Sequence, residues 1–194
     1  MTTPLLNHIT KIIPLNAEEK ALIGECFASR LYRRKQYVLQ EGDVCQALYF
    51  VVSGCLRMYK IDEKGNTHIV QFAPENAWIA NIGSLHSQTP SEFSIDAVED
   101  TMVLLIKQQD LYKLFKQVPK FNIIFRVLTE QAYMKLQQRM MVSISSTAEQ
   151  KYQYFAKTYP HLLNRLPQTQ IAAFLGITPV MLSNVKASLL RGGK

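Results

Sequence analysis

The spacing of apolar residues changes character twice along the chain. Over residues 16–30, Leu22, Ile23 and Phe27 recur at helical intervals behind Asn16, which can cap, and Glu18 and Glu19, which suit a positive first turn; an amphipathic helix is predicted there. From about residue 31 to 107 the period shortens. Strand-like runs fall at 37–39, 48–52, 56–61, 68–72, 93–97 and 102–107. Glu41-Gly42-Asp43, Ser53-Gly54 and Asp62-Glu63-Lys64-Gly65-Asn66 separate them as turns. Many short strands divided by glycine turns predict a compact β-barrel or roll.

Helical spacing returns after Gln108, where Leu111, Leu114 and Phe115 share a face that ends near Pro119. The longest helix is predicted over about 120–143, where Phe121, Ile124, Phe125, Leu128, Ala132, Leu136 and Met140 recur every three or four residues without Gly or Pro. Such a stripe packs either on its own barrel or on a second copy of the chain. The expectation is a subunit seam, since dimeric helix-turn-helix proteins bind paired half-sites. The small polar stretch 143–147 is read as a hinge. A further helix follows over 148–159, with Tyr152, Phe155 and Ala156 inward and Pro160 ending it. The expected organisation is a sensor domain at 1–119, a long helix and hinge at 120–145, and a last domain at 146–194.

That last domain carries the most informative pattern. Residues 168–175 predict a helix with Ile171, Ala172 and Leu175 inward, and Ala172 is small enough for a close helix crossing. Gly176 suits a left-handed turn, Ile177 plugs the space between helices, Thr178 caps, and Pro179 begins a second helix. Leu182, Val185 and Leu189 hold that helix down, while Val180, Met181, Ser183, Asn184, Lys186 and Ala187 face outward. An ordinary helical hairpin is the plain alternative; the cap and the proline favour a helix-turn-helix whose second helix enters the major groove. Gln168, Thr169, Thr178, Val180, Met181, Ser183, Asn184 and Lys186 are the candidate DNA-contacting residues.

Charge sharpens this reading. The net charge is +7, and residues 146–194 hold six basic residues and one acid, a net of +5, against +2 for the rest of the chain. A basic segment on a nearly neutral body fits a polyanion as well as a solubilising surface. With 47% hydrophobic and 19% charged residues the composition is that of a globular protein. No apolar run reaches membrane-spanning length and no leader pattern opens the chain, so the expected location is the cytoplasm. Cys26, Cys45 and Cys55 show no metal-ligand or disulfide spacing. No catalytic carboxylate pair, Ser-His-Asp order or phosphate-binding glycine loop stands out, so an enzyme is not expected.

These two patterns in this order resemble the Crp/Fnr superfamily of bacterial transcription regulators over nearly the whole chain. The front half carries Glu41-Gly42-Asp43, then Leu48-Tyr49-Phe50-Val51-Val52-Ser53-Gly54 and Leu56-Arg57; the back half carries Leu175-Gly176-Ile177-Thr178 and Leu182-Ser183. The resemblance implies an α+β chain: an N-terminal β-roll of the cyclic-nucleotide-binding-like kind, a long dimerisation helix, and a C-terminal helix-turn-helix domain. The partners it implies are double-stranded DNA, a second copy of the chain and an unidentified small-molecule effector. Three departures qualify it. Where relatives that bind cyclic nucleotides hold ribose with Gly-Glu and phosphate with Arg-Ser or Arg-Thr, this chain has Ala80-Asn81 and Ser91-Glu92, and no Lys or Arg lies between Gln71 and Val103. Cyclic AMP and cyclic GMP are therefore not expected ligands, with Glu92 set to repel a phosphate. Trp78, Asn81, Ser91 and Glu92 either line a pocket for another effector or are ordinary barrel residues. The recognition helix has Val180, Ser183 and Asn184 where many relatives carry Glu and Ser-Arg, so a different half-site is expected, or a degenerate helix-turn-helix on an effector-binding or protein-interaction module. The wing that relatives add after this helix is absent or truncated. The cysteine spacing fits no iron–sulfur cluster and no histidine stands out as a haem ligand, so no cofactor is expected.

Overall fold

The computed structural model describes residues 2–192, with side chains as far as Leu190. The chain divides into two compact units, residues 1–60 with 71–130, and residues 61–70 with 131–194.

The first unit is built around a β-roll. Helices α1 (Thr3–Ile9) and α2 (Ala17–Cys26) precede strands β1 (Ala28–Tyr32), β2 (Tyr37–Leu39), β3 (Ala47–Ser53), β4 (Leu56–Ile61), β5 (Thr67–Ala73) and β6 (Trp78–Ile79). Helix α3 (Ile82–Ser87), strands β7 (Ser94–Ala97) and β8 (Thr101–Lys107), and helix α4 (Gln108–Gln117) complete it. Two four-stranded sheets run in the orders β1-β8-β3-β6 and β2-β7-β4-β5, and the pairs β1–β8, β3–β8, β3–β6, β2–β7 and β4–β7 are antiparallel. Strand β3 is buried from Ala47 through Val51, because helices cover the face of its sheet that the roll interior does not. Phe50 of β3 stacks on His8 of α1 and on Trp78 of β6. Leu5, Ile9, Ile23 and Phe27 from the helices join Phe50, Leu104, Ile106, Leu111 and Leu114 in one core.

Helix α2 begins as predicted: Asn16 accepts from the Glu19 N–H and Glu19 accepts from the Asn16 N–H, each at 2.8 Å. It stops at Cys26, where the sequence predicted continuation to residue 30; Ala28–Tyr32 instead pairs with β8. Gly54 turns β3 into β4 with φ +91°.

Helix α5 (Pro119–Ser145) matches the long helix predicted, but its apolar stripe has two coverings rather than one. Phe121 and Ile124 are buried in the core of their own roll, and Phe125 and Leu128 pack against that core. The expectation of a subunit seam is thereby corrected for Phe121 and Ile124, which their own roll covers; Phe115 of α4 packs against Phe121 and Phe125. Ala132, Leu136 and Met140 are exposed.

The second unit holds residues 61–70, which include the first part of β5, with the end of α5, α6 (Ala148–Thr158), a 3₁₀ turn (Pro160–Leu162), α7 (Gln168–Leu175) and α8 (Pro179–Gly192). Thr147 and Gln150 form a reciprocal cap at the start of α6, so the break after α5 is short and ordered. Phe155, Leu162, Leu166, Ile171, Phe174, Leu175 and Leu182 are buried and supply the unit's core. Among the described residues no strand follows β8; residues 193 and 194, on which the wing expectation falls, lie outside them.

Candidate nucleic-acid interface and sensor corner

The turn between α7 and α8 forms as its residue types dictate. Gly176 adopts φ 65° and ψ 36°, the left-handed conformation that ends α7, and its N–H reaches the Ala172 carbonyl. Ile177 donates to the same carbonyl at 3.1 Å. Thr178 Oγ1 then accepts from the Met181 N–H at 3.2 Å and caps α8. The two helices are bent by 99° about this turn, within the range of a DNA-binding helix-turn-helix. Ala172, 1% exposed, sits where they cross, and Leu182, fully buried, anchors α8.

At about 100° per residue, Val180, Ser183, Asn184 and Ala187 share one face of α8, and all four are exposed. Met181 flanks that face on one side and Lys186, half-buried, on the other. Gln168 and Thr169, at the start of α7, and Thr178 are exposed as well. No acidic residue occurs after Glu149, so nothing on this surface would repel a polyanion. Phe174, absent from the predicted inward set, is 6% exposed and packs edge-on against Phe155 and Tyr159. Its i+3 spacing from Ile171 was the available signal.

Of the four candidate effector residues, Asn81 and Ser91 meet, while Trp78 and Glu92 are engaged elsewhere. Asn81 caps α3 through its Oδ1 and donates from Nδ2 to Ser91 Oγ at 2.7 Å. Ser91 Oγ also donates to the Phe93 carbonyl at 2.8 Å and accepts from the Phe93 N–H at 3.1 Å. These two residues satisfy each other and their own backbone, leaving few donors for a ligand. Trp78 packs on Phe50 and Phe27 in the core shared with the helices. The Glu92 side chain is 77% exposed and meets Lys60 Nζ at 3.3 Å, so it does not repel a phosphate inside the roll as the sequence suggested. Among the described residues no Lys or Arg hydrogen-bonds Asn81 or Ser91. Sequence reading missed a buried ion pair of the roll: Arg57 of β4 lies opposite Asp96 of β7 and grips both its carboxylate oxygens. Only strand register brings them together, so no local spacing announced the pair.

Comparison with known proteins bears on both ends. Residues 29–118 match the cyclic nucleotide-binding domain family. A cyclic AMP receptor protein from Thermus thermophilus is 29% identical over 105 residues, covering 54% of this chain and 48% of that relative. The match thus spans about half the relative's length. FixK2 from Bradyrhizobium japonicum superposes with a TM-score of 0.76 at 21% identity, over 86% of each chain. A regulator from Eubacterium rectale assigned to the Crp/Fnr family superposes with a TM-score of 0.71 at 15% identity, over 96% of this chain and 89% of that one.

The chain has the Crp/Fnr-type fold. Its roll matches the cyclic nucleotide-binding domain family over residues 29–118, α5 is the long helix of the Crp/Fnr fold, and α7 with α8 occupies the C-terminal end where that fold places its last helices. Among the described residues no single helix is long and apolar enough to cross a membrane.

Proposed function

We propose that the chain is a homodimeric, DNA-binding transcription regulator, with domains at 1–119, 120–145 and 146–194, whose roll does not respond to cyclic AMP or cyclic GMP. The observation that carries this reading is the 99° helix-turn-helix with an exposed, acid-free face on its second helix. Val180 suits a thymine methyl group, Asn184 suits the donor and acceptor of adenine, and Ser183 and Lys186 suit phosphates. Dimerisation is supported by the second half of α5, where Tyr133, Leu136, Met140 and Ile144 are 55–75% exposed and lie along one stripe. The Thermus relative is named for cyclic AMP, but here no arginine stands at the phosphate position and Ser91 is spent on its neighbours. Any effector is a different small molecule.

Selection from a random duplex pool, followed by titration of the selected duplex at several salt concentrations, tests the reading. Sequence-selective binding that weakens steeply with salt is expected. Equal binding to all duplexes, or none, supports instead an effector-binding or protein-interaction module with a degenerate helix-turn-helix. Calorimetric titration with cyclic AMP is expected to give no binding at micromolar ligand.

A further inference from the structure

Polar side chains in the second half of α5 mostly face solvent, but Arg139 does not. Its Nη1 donates to the Val70 carbonyl, and its Nη2 donates to the carbonyls of Ile69 at 2.7 Å and Phe174 at 3.3 Å. The guanidinium carbon lies 4.0 Å above the centre of the Phe174 ring. None of the described ion pairs includes Arg139. Burial pushes its pKa below the ordinary arginine value, with Tyr159 and Tyr154 acting in the opposite sense. A desolvated cation without a carboxylate is costly, and only the converging carbonyls and the aromatic face hold it there. The adjoining cavity of about 20 Å³, which Val142, Ser143 and Lys151 also line, has room for a single water and not for an effector.

The partners of Arg139 belong to two elements. Ile69 and Val70 lie in β5, the last strand of its sheet, whose open edge leaves carbonyls to be taken by a side chain. Phe174 lies in α7, the first helix of the helix-turn-helix. Strand β5 continues through Gln71, whose Nε2 donates to the Trp78 carbonyl at 2.8 Å.

We propose that Arg139 is a coupling latch: it clamps α7, through Phe174, to strand β5, so that a displacement of β5 is passed to the helix-turn-helix. The latch does not depend on what α8 binds and goes beyond the DNA-binding reading. A coupling of this kind is demonstrated by a double-mutant cycle rather than by proximity.

The cycle joins Arg139→Met to Asp62→Asn, which loosens the exposed turn leading into β5 by weakening the Asp62 contacts with His68 and Asn66. The readout is hydrogen exchange of the backbone amides of residues 168–175 in the intact, DNA-free chain. Asp62→Asn is expected to speed exchange there about threefold in the otherwise unchanged protein, and Arg139→Met about tenfold. In the Arg139→Met background Asp62→Asn is expected to add nothing, while α2 exchanges as before in every variant. Independent effects of the two substitutions overturn the latch, as does unchanged α7 exchange in Arg139→Met. Should Arg139→Met fail to fold by circular dichroism, the same cycle is run with Arg139→Lys. That variant keeps the charge but cannot span three carbonyls, and the same outcomes decide.

Discussion

Arg57→Met is expected to destabilise the roll far more than its loss of contacts suggests. Arg57 Nε lies 2.7 Å from Asp96 Oδ1 and Nη2 lies 2.9 Å from Oδ2, a two-point pair, with the guanidinium 4.5 Å above the Tyr59 ring. The side chains are only 19% and 7% exposed. Burial alone would lower the Arg57 pKa; the hydrogen bonds and charge of Asp96 more than offset this and hold it above the ordinary value. Methionine preserves much of the volume, so a cavity contributes little. The dominant cost is the Asp96 carboxylate left buried without its cation, about 3–5 kcal/mol. With a urea dependence of about 1–3 kcal/mol per molar, the unfolding midpoint should fall by about 1–5 M. Trp78, the single tryptophan, stacks on Phe50 in the same unit and makes a suitable fluorescence probe. The decisive comparison is Arg57→Met/Asp96→Val, which removes both charges and should recover most of the loss. A single-variant cost below about 1 kcal/mol, or a double variant as unstable as the sum of the singles, would refute the assignment of the cost to an unpaired buried charge.

The remaining predictions concern α8 and two turns. Asn184→Ala should relax base preference at one position of the selected duplex, whereas Lys186→Ala should weaken all duplexes alike and flatten the salt slope by about one; an unchanged selection profile refutes the first role and an unchanged slope the second. Gly54→Ala would place a methyl group 2.6 Å from the Asp100 carbonyl and 2.8 Å from Thr101 Cα, at φ +91°. Thr101 is fully buried and bonds the Cys55 backbone through its hydroxyl, so that wall cannot retreat, and a melting temperature lowered by about 6–12 °C is expected from a loss of about 3 kcal/mol. Asp62 is held well below the usual carboxylate range, first by His68 and then by Asn66. Because its folded pKa is depressed, the order it gives the β4–β5 turn is fully present above about pH 4 and is lost progressively as pH falls from there through its lower folded pKa. Amide exchange at Gly65 and Asn66 that accelerates on acidification, beyond the intrinsic pH trend, would show it; Asp62→Asn should abolish the effect.

How much of this was readable beforehand depends on the range of the interaction involved. The α7–α8 turn was legible to the residue because each part acts locally: Gly176 for the left-handed step, Thr178 for the cap, Pro179 for the first turn. Strands β3, β4 and β8 declared themselves through apolar runs between turns. Strand β1 did not, since four of its five residues are exposed and it is a strand only because β8 offers it an edge. The two-residue β6 and the short α1 and α3 gave too little period to detect. The pair Arg57–Asp96 and the carbonyls around Arg139 are set by register and tertiary approach between residues 35 to 70 positions apart, which no local pattern encodes.

The stripe on α5 is the most instructive case, because its period was read correctly while its first part turned out to be covered by its own roll. A helical period shows which side chains share a face. It is silent on what covers that face, and one helix can change its covering along its length. Phe121 and Ile124 are buried against their own roll, whereas Tyr133, Leu136, Met140 and Ile144 are left exposed in the single chain. At 100° per residue the exposed set is turned by roughly a third of a revolution from the buried one. An early residue on such a helix therefore governs the stability of the roll, and a late one governs association. Leu136→Glu should accordingly lower the dimer population in sedimentation while leaving the Trp78-reported unfolding of the roll nearly unchanged. Ile124→Ala should do the reverse, at about 2–5 kcal/mol of roll stability. If Leu136→Glu leaves the association state untouched, the exposed stripe is not the seam, and homodimerisation through α5 falls with it.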